Sequence, residues 1–162
     1  VIEHDATFTL LHSAAWMADV PFMRAVLRFG ANIDAVDAKG LGSPLHHLCN
    51  MIGRNGSELR NGSKVRSLVV AAEFLLSVGA DANLPNAGGR TALHIAAAAQ
   101  QVDLCCLLLR HGAKNILTDA AGSRPSDLLK PYLRRQFFNQ LVASERATPL
   151  PRFCPCGSSV AF

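Results

Sequence analysis

Three histidines recur with similar neighbours: Thr9-Leu10-Leu11-His12-Ser13-Ala14-Ala15, Ser43-Pro44-Leu45-His46-His47-Leu48-Cys49 and Thr91-Ala92-Leu93-His94-Ile95-Ala96-Ala97. An imidazole can ligate a metal or act as a general base near neutral pH. Either role needs a partner, and no acidic residue or thiol recurs beside all three. They are therefore read as structural. Cys154-Pro155-Cys156 brings two thiols close, but there is no second pair and no nearby histidine, so a tail is expected there and no metal site. The other cysteines are Cys49, Cys105 and Cys106, and the odd total of five suits reduced, buried thiols better than a disulfide framework. That points to the cytoplasm and/or the nucleus. No phosphate-cradling glycine loop, nucleophile elbow or helically spaced carboxylate pair is present. No enzyme activity, cofactor or small-molecule substrate is expected.

The elements around these residues must come from a chain of 162 residues, 49% apolar and 17% charged, enough for one packed domain and too apolar for disorder. Aromatics are only 6%, while alanine and leucine abound, which suits closely packed helices. No apolar run reaches 18 residues, so no membrane span is expected. Val1-Ile2-Glu3-His4-Asp5 has neither a basic region nor an apolar signal segment, and without a first Met the chain is expected to be excised from a longer one. Residues 1–123 carry ten basic and ten acidic side chains, and residues 124–162 carry six against two, so the whole net charge of +4 sits in the last stretch. A neutral body with a basic end argues against nucleic-acid binding across the surface.

Self-comparison organises the rest. Each histidine segment runs into a leucine-rich stretch ending in Gly-Ala: Gly30-Ala31-Asn32, Gly79-Ala80-Asp81 and Gly112-Ala113-Lys114. His12 to Gly30 and His94 to Gly112 both span 18 residues, whereas His46 to Gly79 spans 33, an excess of 15. Gly79 to Gly112 is 33 residues and His12 to His46 is 34, with Gly42 as a one-residue insertion. Each unit reads as two helices. Thr9, Ser43 and Thr91 suit N-caps, Pro44 suits a first helical position, and Gly30, Gly79 and Gly112 suit left-handed C-caps. Phe22, Ala25, Val26 and Phe29, and likewise Leu104, Leu107 and Leu108 in a helix from Val102 to His111, fall on one face at helical spacing.

These units resemble ankyrin repeats, whose pattern includes Thr-Pro-Leu-His-x-Ala-Ala and Leu-Leu-x-x-Gly-Ala-Asp. The resemblance covers residues 5–142 as repeats at about 5–36, 37–85 (with an insertion near 53–65) and 86–118, then a degenerate capping unit at 119–142. A tail follows at 143–162. It implies an all-α solenoid of stacked antiparallel helix pairs, with β-hairpin-like loops projecting as fingers, in which the repeated histidine bonds backbone of the neighbouring unit. In the cap Arg124 stands where Thr is expected and Asp127 where His is, and Phe137, Phe138 and Leu141 edge a polar helix. The insertion, with Arg54, Arg60, Lys64 and Arg66 against Glu58, reads as a polar loop able to meet an acidic partner; Asn55-Gly56-Ser57 and Asn61-Gly62-Ser63 in it are taken as coincidental glycosylation patterns.

The resemblance further implies a module that binds another protein or an extended peptide, as an adaptor or scaffold. Its contact positions are the finger tips (Val36, Asp37, Lys39 and Leu41; Pro85, Asn86 and Arg90; Thr118, Asp119 and Ser123) and the concave side (Trp16, Met17, Asn50, Met51 and Gln100), with packing of Trp16 on a repeat preceding Val1 as the alternative for that residue. Asn83, eight residues after Leu75, matches the preference of an asparaginyl hydroxylase that modifies such loops. Leu129 to Arg135 and Thr148 to Phe153 resemble fragments of a SOCS box, which implies as an alternative a substrate receptor that engages elongin and cullin in a ubiquitin ligase. There Leu133 stands for an expected Cys, Thr148 for a Leu, and Pro131 would interrupt the helix.

Overall fold

A computed structural model describes residues 9–37, 39–55 and 62–147, side chains excepted at 53–55, 62–65, 140, 141 and 143–147. Among the described residues seven α-helices form, α1 (Leu10–Met17), α2 (Val20–Arg28), α3 (Pro44–Asn55), α4 (Gly62–Ser77), α5 (Ala92–Ala98), α6 (Val102–Arg110) and α7 (Pro131–Ala147), with a 3-10 turn at Pro125–Leu128. No strand occurs among the described residues. The chain is an all-α solenoid: α1 and α2, α3 and α4, and α5 and α6 pair, while the 3-10 turn and α7 close the stack.

Local chemistry explains where each element starts and stops. Thr9 and Thr91 are extended N-caps and Pro44 opens α3, since a first-turn position needs no N–H donor. At the other ends Gly30, Gly79 and Gly112 hold φ of +84°, +100° and +84°, a left-handed conformation in which a Cβ is disfavoured. Ala31, Ala80 and Ala113 amides then reach back to the carbonyls of Val26, Leu75 and Leu108. Ala18 and Gln100 take the same left-handed turn between paired helices despite their side chains.

The inner row, α1, α3, α5 and the 3-10 turn, is closely packed throughout, whereas in the outer row α2 and α4 (and α4 and α6) barely touch and α6 and α7 pack closely. Fully buried Ala14, Ala15, Ala96 and Ala97 permit the close inner approach. Leu11, Leu45, Leu48, Leu93, Leu104 and Leu108 fill the space behind them, and Phe137 of α7 seals the far end. Cys49 and Cys105 are free and buried; burial pushes the Cys49 thiol up to about 12 and Cys105 higher still, so neither is a nucleophile.

Three boundaries differ from the sequence expectation. The insertion near 53–65 is largely taken up by helix: α3 has 12 residues against 8 in α1, and α4 has 16 against 9 in α2. Residues 56–61, with Arg60 and Glu58, lie outside the described part, as do 1–8 and the Cys154 and Cys156 pair. The cap opens with a 3-10 turn, not an α-helix, because Pro125 and Pro131 bracket only a few residues. Finally α7 runs through Ala147, beyond the boundary expected at 142, and Pro131 begins it without breaking it.

Gly42 occupies a tight backbone position against its own helix start. Its φ is +110°, and a Cβ would stand 2.7 Å from Cγ of the His46 ring. Gly42→Ala is expected to destabilise the protein by about 3 kcal/mol, through left-handed strain plus displacement of His46. A urea midpoint indistinguishable from that of the parent chain would contradict this.

Candidate interaction surface

The three repeated histidines are equivalent in structure. The N-cap amide of Thr9, Ser43 or Thr91 donates to Nδ1 of His12, His46 or His94, at 3.3, 3.2 and 3.2 Å. An amide can only donate, so Nδ1 is the bare nitrogen and Nε2 carries the proton. Nε2 then donates to a carbonyl at the base of the next finger: Gly42, Arg90 or Ser123, each at 3.1 Å. These rings are buried and bonded at both ends, which leaves no nitrogen for a metal or a substrate proton. Among the described residues no cluster of three or more His, Cys, Asp or Glu is placed to hold a metal ion.

Each finger is closed by an acceptor side chain. Asp37 Oδ1 accepts from the Gly42 amide (2.9 Å), Asn86 Oδ1 from Gly88 and Arg90 (2.9 and 3.0 Å), and Asp119 Oδ1 from Ala121 and Ser123 (3.0 Å each). Adjacent fingers are joined by the Ala87 amide donating to Gly40 O and the Ala120 amide to Gly88 O. Arg90 Nε adds a bond to Asp119 Oδ2 at 3.3 Å. The Ser123 amide, then that of Ala121, and Arg90 hold the Asp119 carboxyl below its ordinary range. The fingers therefore form one connected ridge.

This geometry corrects several expected contact residues. Asp37 and Asp119 are buried, because their oxygens serve the turn backbone, and they do not stand at finger tips. Gln100 is not a free concave side chain: Nε2 donates to Leu128 O at 2.8 Å and Oε1 accepts from the Lys130 amide at 2.8 Å, which latches the cap to the third repeat. Asn86 and Arg90 spend polar groups inside the ridge, and the Ser123 carbonyl receives His94. Met51 packs against the core and Asn50 is half-buried. Asn83 spans two repeats, with Nδ2 donating to Gly112 O (3.0 Å) and Oδ1 accepting from the Lys114 amide (2.8 Å). Val36, Pro85 and Thr118 are exposed along the ridge.

Five of the expected residues do meet. Trp16 and Met17 on α1, with Asp37, Lys39 and Leu41 on the first finger, line a cleft of about 500 Å³ together with Ser13 and His47. Trp16 is 47% exposed, Met17 62% and Leu41 46%, which is unusual for large apolar groups outside an interface. The cleft surface is mostly apolar, and a buried polar pair lies under it: His47 Nε2 lies 3.3 Å from Asp37 Oδ2, and the His47 ring meets His12 edge-on at 5.0 Å. Burial first, then the neighbouring His12, lower the His47 pKa, against the opposing pull of Asp37. Sequence reasoning missed Ser13 and His47. A signal existed for His47: its repeat position is Ser13 or Ile95 in the other units, so the His46-His47 doublet departs from the pattern.

Burial also lowers His46, the first cause outweighing the Arg90 carbonyl that raises it. A histidine whose folded pKa lies below its ordinary 6.5 leaves the unfolded chain binding more protons in that window. Stability is thus complete above about pH 6.5 and is expected to fall as pH drops below it, read as urea midpoints on the acid side of about pH 6.5. The His47→Phe variant should show a shallower fall. A midpoint that rises on acidification would contradict the assignment of buried neutral rings.

Comparisons with known proteins agree with the geometry. The family model described as Ankyrin repeats (3 copies) matches residues 11–119. An ankyrin and IPT/TIG repeat-containing protein of Schizosaccharomyces pombe (strain 972) is 34% identical over 79 residues, 49% of this chain but 7% of that protein. The crystal structure of the ankyrin repeat domain of Bcl-3, described as a unique member of the IkappaB protein family, superposes with a TM-score of 0.67 at 27% identity. That match covers 82% of this chain and 52% of that one, so the chain spans about half the length of the solved structure it resembles.

Proposed function

Because the chain belongs to the ankyrin repeat family, we propose that it is a non-catalytic adaptor or scaffold that holds another protein or an extended peptide along its concave face and fingers. The observation carrying this is the cleft in which Trp16, Met17 and Leu41 converge beside the first finger. A rigid ridge of bonded fingers supports the reading, since pre-ordered side chains lose little freedom on binding. Tryptophan and methionine beside a polar rim (here Lys39) are the residue types that anchor interfaces. The exposed Val36, Pro85 and Thr118 extend the same ridge as secondary contacts.

The ubiquitin-ligase alternative has less behind it. Leu129 is buried and Leu133 packs against the core, so the helix that would meet elongin already serves the stack. Thr148 to Phe153, the cullin-like fragment, lies outside the described residues.

Trp16 is the single tryptophan, so its emission reports directly on the cleft. Partners recovered with the parent chain should be lost with Trp16→Ala plus Met17→Ala, at a cost of about 2 kcal/mol or more, a roughly thirtyfold weaker Kd. Melting should fall only modestly, because Met17 is mostly exposed and Trp16 about half exposed. Equal binding by the double variant, with emission of the parent chain unmoved by partner, would exclude this cleft.

A further inference from the structure

A second surface lies on the opposite side of the stack. Where α2 and α4 diverge, a shallow groove of about 690 Å³ opens, floored by Leu27, Ile33, Phe74 and Val78 and flanked by Arg24 and Arg28. Among its lining residues there are two cations and no carboxylate. Neither arginine makes an ion pair among the described residues. Of the carboxylates on the flanking elements, Asp34 Oδ1 is occupied by the Asp81 amide at 3.0 Å, and Glu73 does not line the groove. Beside it, at the end of α2, Phe29 stands 92% exposed.

The geometry points to this groove as a docking site for an acidic partner segment: a stretch of protein with carboxylates flanking one or two aliphatic side chains. The aliphatic floor takes the apolar anchors, and Arg24 and Arg28 take the carboxylates, forked guanidinium to carboxylate. Nucleic acid fits less well. A strand needs free aromatic faces for stacking, and the Phe74 face is already covered by the Arg24 guanidinium, 5.5 Å from the ring centroid. The site is separate from the cleft at Trp16, so the stack would carry two partners, or two parts of one, on opposite sides.

The test is an NMR titration of the isotopically labelled full chain with a short synthetic peptide in which two leucines sit among glutamates. Controls are the same peptide with lysines for glutamates, and a single-stranded oligonucleotide. Shifts should appear at Leu27, Ile33 and Val78 with the acidic peptide alone and leave the Trp16 indole unmoved. Arg24→Glu with Arg28→Glu should weaken binding roughly tenfold, as loss of two rim ion pairs implies, while Trp16→Ala should not. Should the double reversal lower the melting temperature, Arg28→Gln preserves the contact of Arg24 with Phe74 and should weaken binding roughly threefold. Absence of shifts at millimolar peptide, unchanged affinity in these variants, or shifts centred on Trp16 would overturn the proposal. So would equal shifts from the oligonucleotide, which would assign the face to nucleic acid.

Discussion

An imidazole bonded at both ends holds this structure in register. In each unit Nδ1 accepts the amide that starts the inner helix, and Nε2 donates to the finger of the next unit. One side chain thus satisfies a helix-start amide that has no partner inside the helix and fixes the distance to the neighbour. Serine or threonine at the N-cap completes the arrangement, since its hydroxyl also reaches Nδ1. Replacing the ring by a carboxylate, as at Asp127, keeps only half of this: Asp127 Oδ2 accepts the Arg124 amide, and no bond to a following unit is possible from an acceptor facing a carbonyl. The change that loses the bridge is the change that ends the stack.

The same constraint shapes the surface. The histidine bridges run along the inner row, and small buried alanines there let helices close on one another, whereas α2, α4 and α6 of the outer row meet through sparse contacts such as Arg24 over Phe74. Tight packing on one side and loose packing on the other leaves recesses on both. On the inner side the recess is bounded by rigid backbone, because Asp37 closes the finger and Gly42 sits against His46. On the outer side it is bounded by side chains alone.

How far the sequence made this legible follows from which residues repeat. His12, His46 and His94, the three Gly-Ala ends and the N-caps recur at one period, so the helix pairs and their order could be read directly, while the bonding role of the histidines came from the resemblance to ankyrin repeats. The finger residues were harder. Asp37, Asn86 and Asp119 look like exposed polar tips in a one-dimensional reading, but a tight turn has more amides than carbonyls facing inward, and these side chains accept them. Gln100 was misplaced for a similar reason, as its partners at Leu128 and Lys130 lie about thirty residues away and belong to a unit that no longer matches the pattern. The insertion itself was plain from the spacing, but the helix at 53–55 and 62–65 was not, because glycine and asparagine there are weak helix formers and argue for a loop.

Of the residues that line the cleft, Trp16 and Met17 stood out in the sequence as large apolar groups at positions such repeats expose, and Lys39 and Leu41 as finger-tip positions. His47 was legible only in part. Its neighbours reveal why it matters: at the Ser13 and Ile95 positions of the other units a short or aliphatic side chain suffices, but here a ring spans from His12 to Asp37 beneath the cleft. That links the cleft floor to the bridge of the first repeat. The polar pair lies beneath Trp16 and Met17, so whatever enters the cleft rests on a surface whose position is set by the same histidine bridge that holds the first two repeats together.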